Sequence, residues 1–590
     1  MNTYTWKIFL FRSISFFRTH AFGLLLAGAV TLAVSLPPVI WHFSTDFRGV
    51  EMLKTNTEAH YVAQVQEVYD GHPRLGNTFF QGLKNSDYLF PPLSPNLVAL
   101  FGKLIGVGAV GAVIVGRFLF VFLLALAIYG FAYRLFGSTR WAAVAAPFII
   151  LGYALFDPHT LLRLFSFGQG AGEATFIDYG RPINPQISSL FFFGYLYFFW
   201  QFLIVPSRRT LLGVVSAVLL GASFYVYLFT WTYLFTLNGF LFLLFLLRKD
   251  FESVKRVVAV TIAAAVLGIP YAFNLLAASQ NTWYAETAVR FGFVASHAPN
   301  ISRLVLGLIV VYLFAKSLLT TKQRVFFGSF FVTALVVANE QIITGKYIFN
   351  HHYHWYYTTP LVALGVLAFF AQWFKAHPDK KRVEVLAVAL LVALFFVQGI
   401  KVQVLSYQAS KESMVDEQRY APVIDWFNHE SPLDSVIFAP APLLRLLPAV
   451  THNNVYYYGT GIYTLVSNER LMDTYLAQIY LQRVPQVDIR LYLDEHQAEI
   501  AGWVFGYTFS FQPGVCSTCV PEDFLDKAAE RYRQLTDANF ASFLLKYPLD
   551  YIVTDEKTDP GWRVDRFGFV PVAKFGTLTI HSAAALLAGP

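Results

Sequence analysis

The sequence predicts an α-helical polytopic membrane protein with a soluble C-terminal domain that mixes helix and strand, of α/β or α+β type. Three observations predict it. Of 590 residues, 56% are hydrophobic and 14% charged, with a mean hydropathy of +0.49, whereas a soluble domain carries roughly a quarter charged residues. Apolar runs long enough to cross a bilayer, about 20 residues per helix, recur through the first two thirds of the chain. The balance of charge then changes sign: residues 403–590 hold 14 Lys and Arg against 22 Asp and Glu, leaving 30 against 15 before them. A basic membrane part with an acidic tail argues against nucleic acid as a partner.

Apolar runs near 21–42, 107–133, 141–156, 186–205, 211–228, 230–247, 257–278, 301–318, 325–344, 356–374 and 384–405 give about eleven helices by the hydropathy criterion. Lys and Arg fall in alternate connections: Lys7 to Arg18, Arg134 and Arg140, Arg208 and Arg209, Arg248 to Arg256, Lys316 to Arg324, and Lys375 to Arg382. The positive-inside rule makes these cytoplasmic. Without a turn at Phe224 to Trp231 every later basic cluster would change sides, so the charge bias supports the split there. The amino terminus is then inside and the tail outside a multi-pass protein of the cytoplasmic membrane. A cleaved secretory signal is the competing reading of residues 1–36; the long basic start and the lack of a small-residue cleavage site before Pro37 favour a retained span.

The division is thus 1–405, a membrane domain with a large first outer loop at 43–106, and 406–590, an extracytoplasmic domain. In the latter, Ser435-Val-Ile-Phe-Ala and Tyr551-Ile-Val-Thr read as strands, and Glu469 to Gln482 and Asp523 to Leu535 as helices. The ionisable residues collect in the outer loops, while the inner connections are short and almost purely basic. That asymmetry fits an enzyme working at the outer surface. A transporter or flippase for a lipid-linked saccharide, the alternative, should carry polar groups along a path through the spans; the charges expected there are Arg117 and Glu340. A scaffold whose tail binds a cell-wall partner is a third reading.

The first outer loop holds the most specific pattern: Thr57-Glu-Ala-His-Tyr61, then Val65-Gln-Glu-Val-Tyr-Asp-Gly71, then Asp87-Tyr-Leu-Phe-Pro-Pro-Leu93. It resembles the first external loop of the GT-C superfamily of membrane glycosyltransferases, in particular protein O-mannosyltransferases and lipid A aminoarabinose transferases. These carry an Asp-Glu-x-[His/Arg]-[Phe/Tyr] element, a later Gly and a Pro-Pro-Leu. The motif resemblance covers roughly residues 40–136. It implies a GT-C-like fold and an inverting glycosyltransferase that moves a sugar from a polyprenyl-phosphate donor to a glycan, lipid or protein acceptor. The chain departs from the pattern at one place, because the family's leading Asp falls on Thr57. Glu58 or Asp46 would then supply the catalytic carboxylate; Glu58 and His60 could also merely occupy the exposed side of a helix from Glu58 to Tyr69.

Such a reaction needs a carboxylate to take the acceptor's proton and positive charge on the departing phosphate, for which the planar fork of Arg is suited. Candidates for donor phosphate or substrate binding are His60, Arg163, Arg181, Lys346, His351 and His354. Arg181 directly precedes a span in Asp178-Tyr-Gly-Arg-Pro-Ile-Asn-Pro-Gln186, a position that also suits a snorkelling interfacial arginine. The His351-His-Tyr-His354 run could hold a divalent metal, hydrogen-bond phosphate or sugar, or form part of an interfacial belt; adjacent histidines diverge on regular backbone, while a metal needs convergent ligands. No other cofactor is implied. Cys516 and Cys519, between Pro513 and Pro521 on the oxidising side, read as a small structural disulfide.

Overall fold

The computed structural model describes residues 3–55, 57–82, 84–156, 175–290, 294–348, 351–459, 461–506 and 520–587. Arg163, Cys516 and Cys519 lie outside them. The first five helices are α1 (Thr3–His42), α2 (Glu58–Tyr69), α3 (Leu93–Ile105), α4 (Ala109–Phe136) and α5 (Thr139–Ile150). Among the described residues, six helical stretches are long and apolar enough to cross a membrane: Phe17–His42, Ala109–Phe136, Pro182–Ile204, Leu228–Leu247, His351–Ala376 and Pro378–Glu430. Phe251–Leu267 and Ile269–Ser279 make a seventh if counted together across their 47° bend. Pro270 lies in the first turn of the second piece, where its missing N–H and its ring set the break. The protein is a polytopic helical membrane protein.

The other expected spans are helical but run to fewer than about 20 residues. Thr139–Ile150 has 12 residues, Arg209–Ala222 14, Arg303–Ala315 13 and Thr321–Val337 17. The run 325–344 is not continuous. Asn339 donates through Nδ2 to the backbone oxygens of Asn300 and Leu335, and Gln341–Thr344 is a separate turn closed by left-handed Gly345. The turn between 211–228 and 230–247 is present: Ser223–Tyr225 is a short 3₁₀ turn and Tyr227 is extended.

The basic connections converge at one end of the bundle. Lys322 Nζ and Arg256 Nη1 both donate to the Leu203 carbonyl, at 2.6 and 2.8 Å. Gln323 and Gln372 donate to the last carbonyls of α4, on Leu135 and Phe136. Arg140 and Trp141 both bond Glu384, at 2.7 and 3.1 Å. Helix ends carry unsatisfied carbonyls, and here the long cationic and amide side chains of neighbouring loops fill them.

A polar contact inside the apolar region binds α1 to the helix Lys381–Glu417. Pro37 and Pro38 lie within α1, so the carbonyls of Ala33 and Val34 lose their intrahelical N–H donors. In hydrocarbon an orphan carbonyl is costly. Gln403 Nε2 donates to both, at 3.1 Å each, and its Oε1 accepts from the Ile177 amide at 3.2 Å.

Beyond residue 430 the chain builds a five-stranded sheet in the order β4-β3-β5-β7-β6. β3 (Val436–Phe438) pairs parallel with β4 (Asn454–Val455) and β5 (Tyr551–Asp555); β7 (Leu578–Ser582) pairs antiparallel with β5 and β6 (Val570–Phe575). A parallel core with an antiparallel edge is common in α/β architectures. The helices Asn468–Leu481 and Glu522–Arg533 match the sequence expectation to within one or two residues. The 43–106 loop docks on this region. Arg445 bonds the Leu53 carbonyl and Glu417, which also holds Lys54, and His72 meets Asp434 at 3.2 Å.

Gln403→Leu keeps side-chain volume but strands two carbonyls and one amide. It should lower stability by about 1–3 kcal/mol, the cost of unsatisfied buried groups, read as a lower unfolding midpoint in detergent. A variant as stable as the parent would show that water or a shifted side chain serves those carbonyls.

Candidate functional site

α2 spans Glu58–Tyr69, the bounds expected from the sequence, but it is not a surface helix. Glu58, His60, Gln64 and Glu67 are buried along with Val62 and Val65. Glu58 Oε2 accepts from the Thr55 amide at 2.9 Å, and its other oxygen pairs with Arg117 of α4. Both side chains are shut away, with relative exposures of 0% and 2%. A guanidinium inside an apolar helix requires a partner; Glu58 is that partner, and the pair fixes the start of α2 against α4.

One residue earlier, Thr57 has φ 55°. A β-branched residue in the left-handed region is strained. Its hydroxyl faces Arg181, whose Nη1 donates to Thr57 Oγ1 at 3.4 Å. Arg181 follows the short turn Asp178–Gly180. It is 5% exposed, its Nη2 donates to Tyr356 Oη, and its guanidinium carbon lies 5.7 Å from the Tyr356 ring centre. The neighbouring carboxylate, Asp178 Oδ1, is 3.9 Å from Arg181 Nε, and Nε has no hydrogen-bond partner among the described residues. The corner is a buried, partly neutralised cation.

A cavity of about 230 Å³ opens beside it, lined by Thr57, His60, Tyr61 and Gln64 of the first loop's start, Leu89, Phe90 and Pro91 of its end, Tyr227 and Phe229 beyond the 223–227 turn, and His352. The two halves of the loop motif, some thirty residues apart, therefore face one space. Gln64 Nε2 donates to His60 Nε2 at 3.0 Å. The His60 ring stacks on Phe79 at 5.3 Å, and burial pulls its pKa down to about 4, so the imidazole is neutral at neutral pH. His352 Nδ1 and Tyr227 Oη are 2.8 Å apart.

The remaining expected site residues are elsewhere. Asp46 pairs with Lys411 at 3.2 Å and does not line the cavity. Lys346 is exposed on β2 (Lys346–Tyr347), which pairs with β1 (Val294–Ala295). His351 is exposed, and His354 is half-buried with its ring against Trp355. Of the histidine run, His352 alone lines the cavity. Among the described residues, no three His, Cys, Asp or Glu side chains converge on one point. The described residues here do not make a metal-binding set.

In sequence His352 is named only within the run His351–His354, and Thr57, Tyr227, Tyr356 and Asp178 do not stand out as contacts of the site. Asp178 had a signal, three residues ahead of Arg181. Tyr227 and Tyr356 had none, because in sequence they are aromatic residues of apolar runs.

Glu58→Gln leaves Arg117 charged and uncompensated. It should cost about 3–5 kcal/mol of stability, whereas the double replacement Glu58→Met with Arg117→Met should recover most of it. Chemical unfolding in detergent reads both; equal losses in the single and double variants would contradict the pairing.

No protein-family profile matches the chain, and no curated protein matches it by sequence. Several solved structures are similar to it. The oligosaccharyltransferase of Archaeoglobus fulgidus in its apo form aligns at 12% identity and TM-score 0.46, over 91% of this chain and 70% of that one. The same organism's AglB, in complex with an inhibitory peptide and a dolichol-phosphate, aligns at 11% and 0.47, over 91% and 69%. ArnT from Cupriavidus metallidurans bound to undecaprenyl phosphate aligns at 13% and 0.46, over 95% and 99%.

Proposed function

We propose that the chain is a GT-C-type membrane glycosyltransferase that transfers a sugar from a polyprenyl-phosphate donor to an acceptor hydroxyl at the outer face of the cytoplasmic membrane. The observation that carries the reading is the corner of Arg181, Thr57 and Tyr356 beside a cavity lined by both ends of the first-loop motif. A buried guanidinium with an unused Nε–H suits a phosphate that gains charge as its bond to the sugar breaks. The acceptor oxygen attacks the anomeric carbon, the bond from that carbon to the phosphate oxygen breaks, and a single displacement inverts the configuration.

The proton needs a carboxylate. Glu58 is engaged by Arg117 and the Thr55 amide, so in this reading it is a positioning residue that fixes Thr57. Neither Asp46 nor Asp178 lines the cavity; Asp46 is paired with Lys411, whereas Asp178 stands beside the Arg181 guanidinium. Asp178, whose side chain is 28% accessible beside Arg181, is the carboxylate we assign as base. The amino terminus and basic loops are cytoplasmic and residues 406–590 extracytoplasmic, since those loops share one end of the bundle and the cavity lies among the outer-loop residues.

Transfer assays with purified protein and synthetic polyprenyl-phosphate sugars test this. Asp178→Asn should lower turnover about 10²- to 10⁴-fold with little change in donor affinity. Arg181→Ala should weaken donor binding and turnover together, since a phosphate clamp acts in ground and transition states alike. Full activity in both variants would overturn the assignment, and transport of the donor without transfer would favour a flippase. Reporter fusions at Pro206 and Tyr420 check the sidedness: opposite sides are expected.

A further inference from the structure

A second cavity, of about 740 Å³, lies between α1 and the helix Lys381–Glu417, away from the Arg181 corner. Its walls are apolar; Ala29 and Ala33 leave the room, and exposed Leu32, Ile40, Ile400 and Val404 line its sides. On α1 it runs from Ala29 to Ile40, about 16 Å at 1.5 Å per residue. That is about half the roughly 30 Å hydrocarbon thickness, the depth of one leaflet. Because both walls belong to membrane-crossing helices, a lipid tail is the occupant that such a space meets.

The mouth identifies the headgroup. Lys411 lines the cavity and its Nζ lies 3.2 Å from Asp46 Oδ2, with side-chain exposures of 55% and 37%. Tyr407, also lining, stands one turn below Lys411. An ammonium and a carboxylate side by side at the head of a leaflet-deep groove match a zwitterion of opposite order, a phosphate for Lys411 and an N–H-bearing ammonium for Asp46. Gln403, part of the groove wall, bonds the Ile177 amide, one residue before Asp178.

We propose that this groove is a binding site for one outer-leaflet phospholipid with an aminoethyl phosphate headgroup, distinct from the donor site. The assignment does not depend on the transferase reading. The primary ammonium donates to Asp46, the phosphate accepts from Lys411, and one acyl chain fills the groove down to Ala29.

Native mass spectrometry of the full chain in detergent, titrated separately with phosphatidylethanolamine, phosphatidylcholine, phosphatidylglycerol and undecaprenyl phosphate, tests it. One phosphatidylethanolamine should bind at least tenfold more tightly than phosphatidylcholine, which lacks the N–H, or phosphatidylglycerol, which lacks the cation. Lys411→Glu should weaken it at least fivefold, and Val404→Trp, at an exposed groove position, should abolish it. Unfolding midpoints of both variants should stay near the parent's. Equal affinity for the three phospholipids, displacement by undecaprenyl phosphate, or unchanged binding in Val404→Trp would overturn the proposal.

Discussion

The buried pair of Glu58 and Arg117 is the constraint on which the outer architecture depends. Arg117 lies inside the span Ala109–Phe136, with almost no exposure, where an unpaired charge would be prohibitive. Supplying its partner forces the first residue of α2 down onto α4, and with it the start of the 43–106 loop. Thr57 is then held in a left-handed turn that an unconstrained threonine would avoid. The strain is sustained because both neighbours of the turn are fixed: Thr55 through its amide on Glu58, and Glu58 through Arg117.

The same logic of satisfying polar groups in an apolar medium governs the rest of the membrane part. Pro37 and Pro38 bend no visible break into α1, yet they release two carbonyls, and Gln403 answers both. At the opposite end, lysine, arginine and glutamine side chains answer the carbonyls of Leu135, Phe136 and Leu203. Each of these contacts joins elements far apart in sequence. They set which helices are neighbours, and apolar packing of α1, α4, α5 and Ser188–Ile204 fills the space between.

Much of this was legible in sequence. Hydropathy placed the apolar helices, the basic loops placed their common end, and the bounds of α2 were those expected. Helix lengths were less legible, because the run 325–344 reads as continuous until Asn339 is seen capturing Asn300 and Leu335. The site was legible only where motif residues carry it. Thr57, His60 and Pro91 of the loop pattern line one cavity, and Arg181 reaches Thr57. Its other members come from tyrosines and a histidine at helix ends, whose neighbours are set by packing across more than a hundred residues of chain. Glu58 looked like a free acid because its partner, Arg117, lies in another element and nothing local in sequence marks the pair.

In the proposed reaction a lipid phosphate is held at the Arg181 corner. A structure of the protein with undecaprenyl phosphate bound tests it most directly. The phosphate should lie within hydrogen-bond distance of Arg181, beside Thr57 and Tyr356, with the first isoprene units against Phe90 and Phe229. A phosphate bound instead at Lys346 and His351, with the Arg181 corner unchanged, would contradict it.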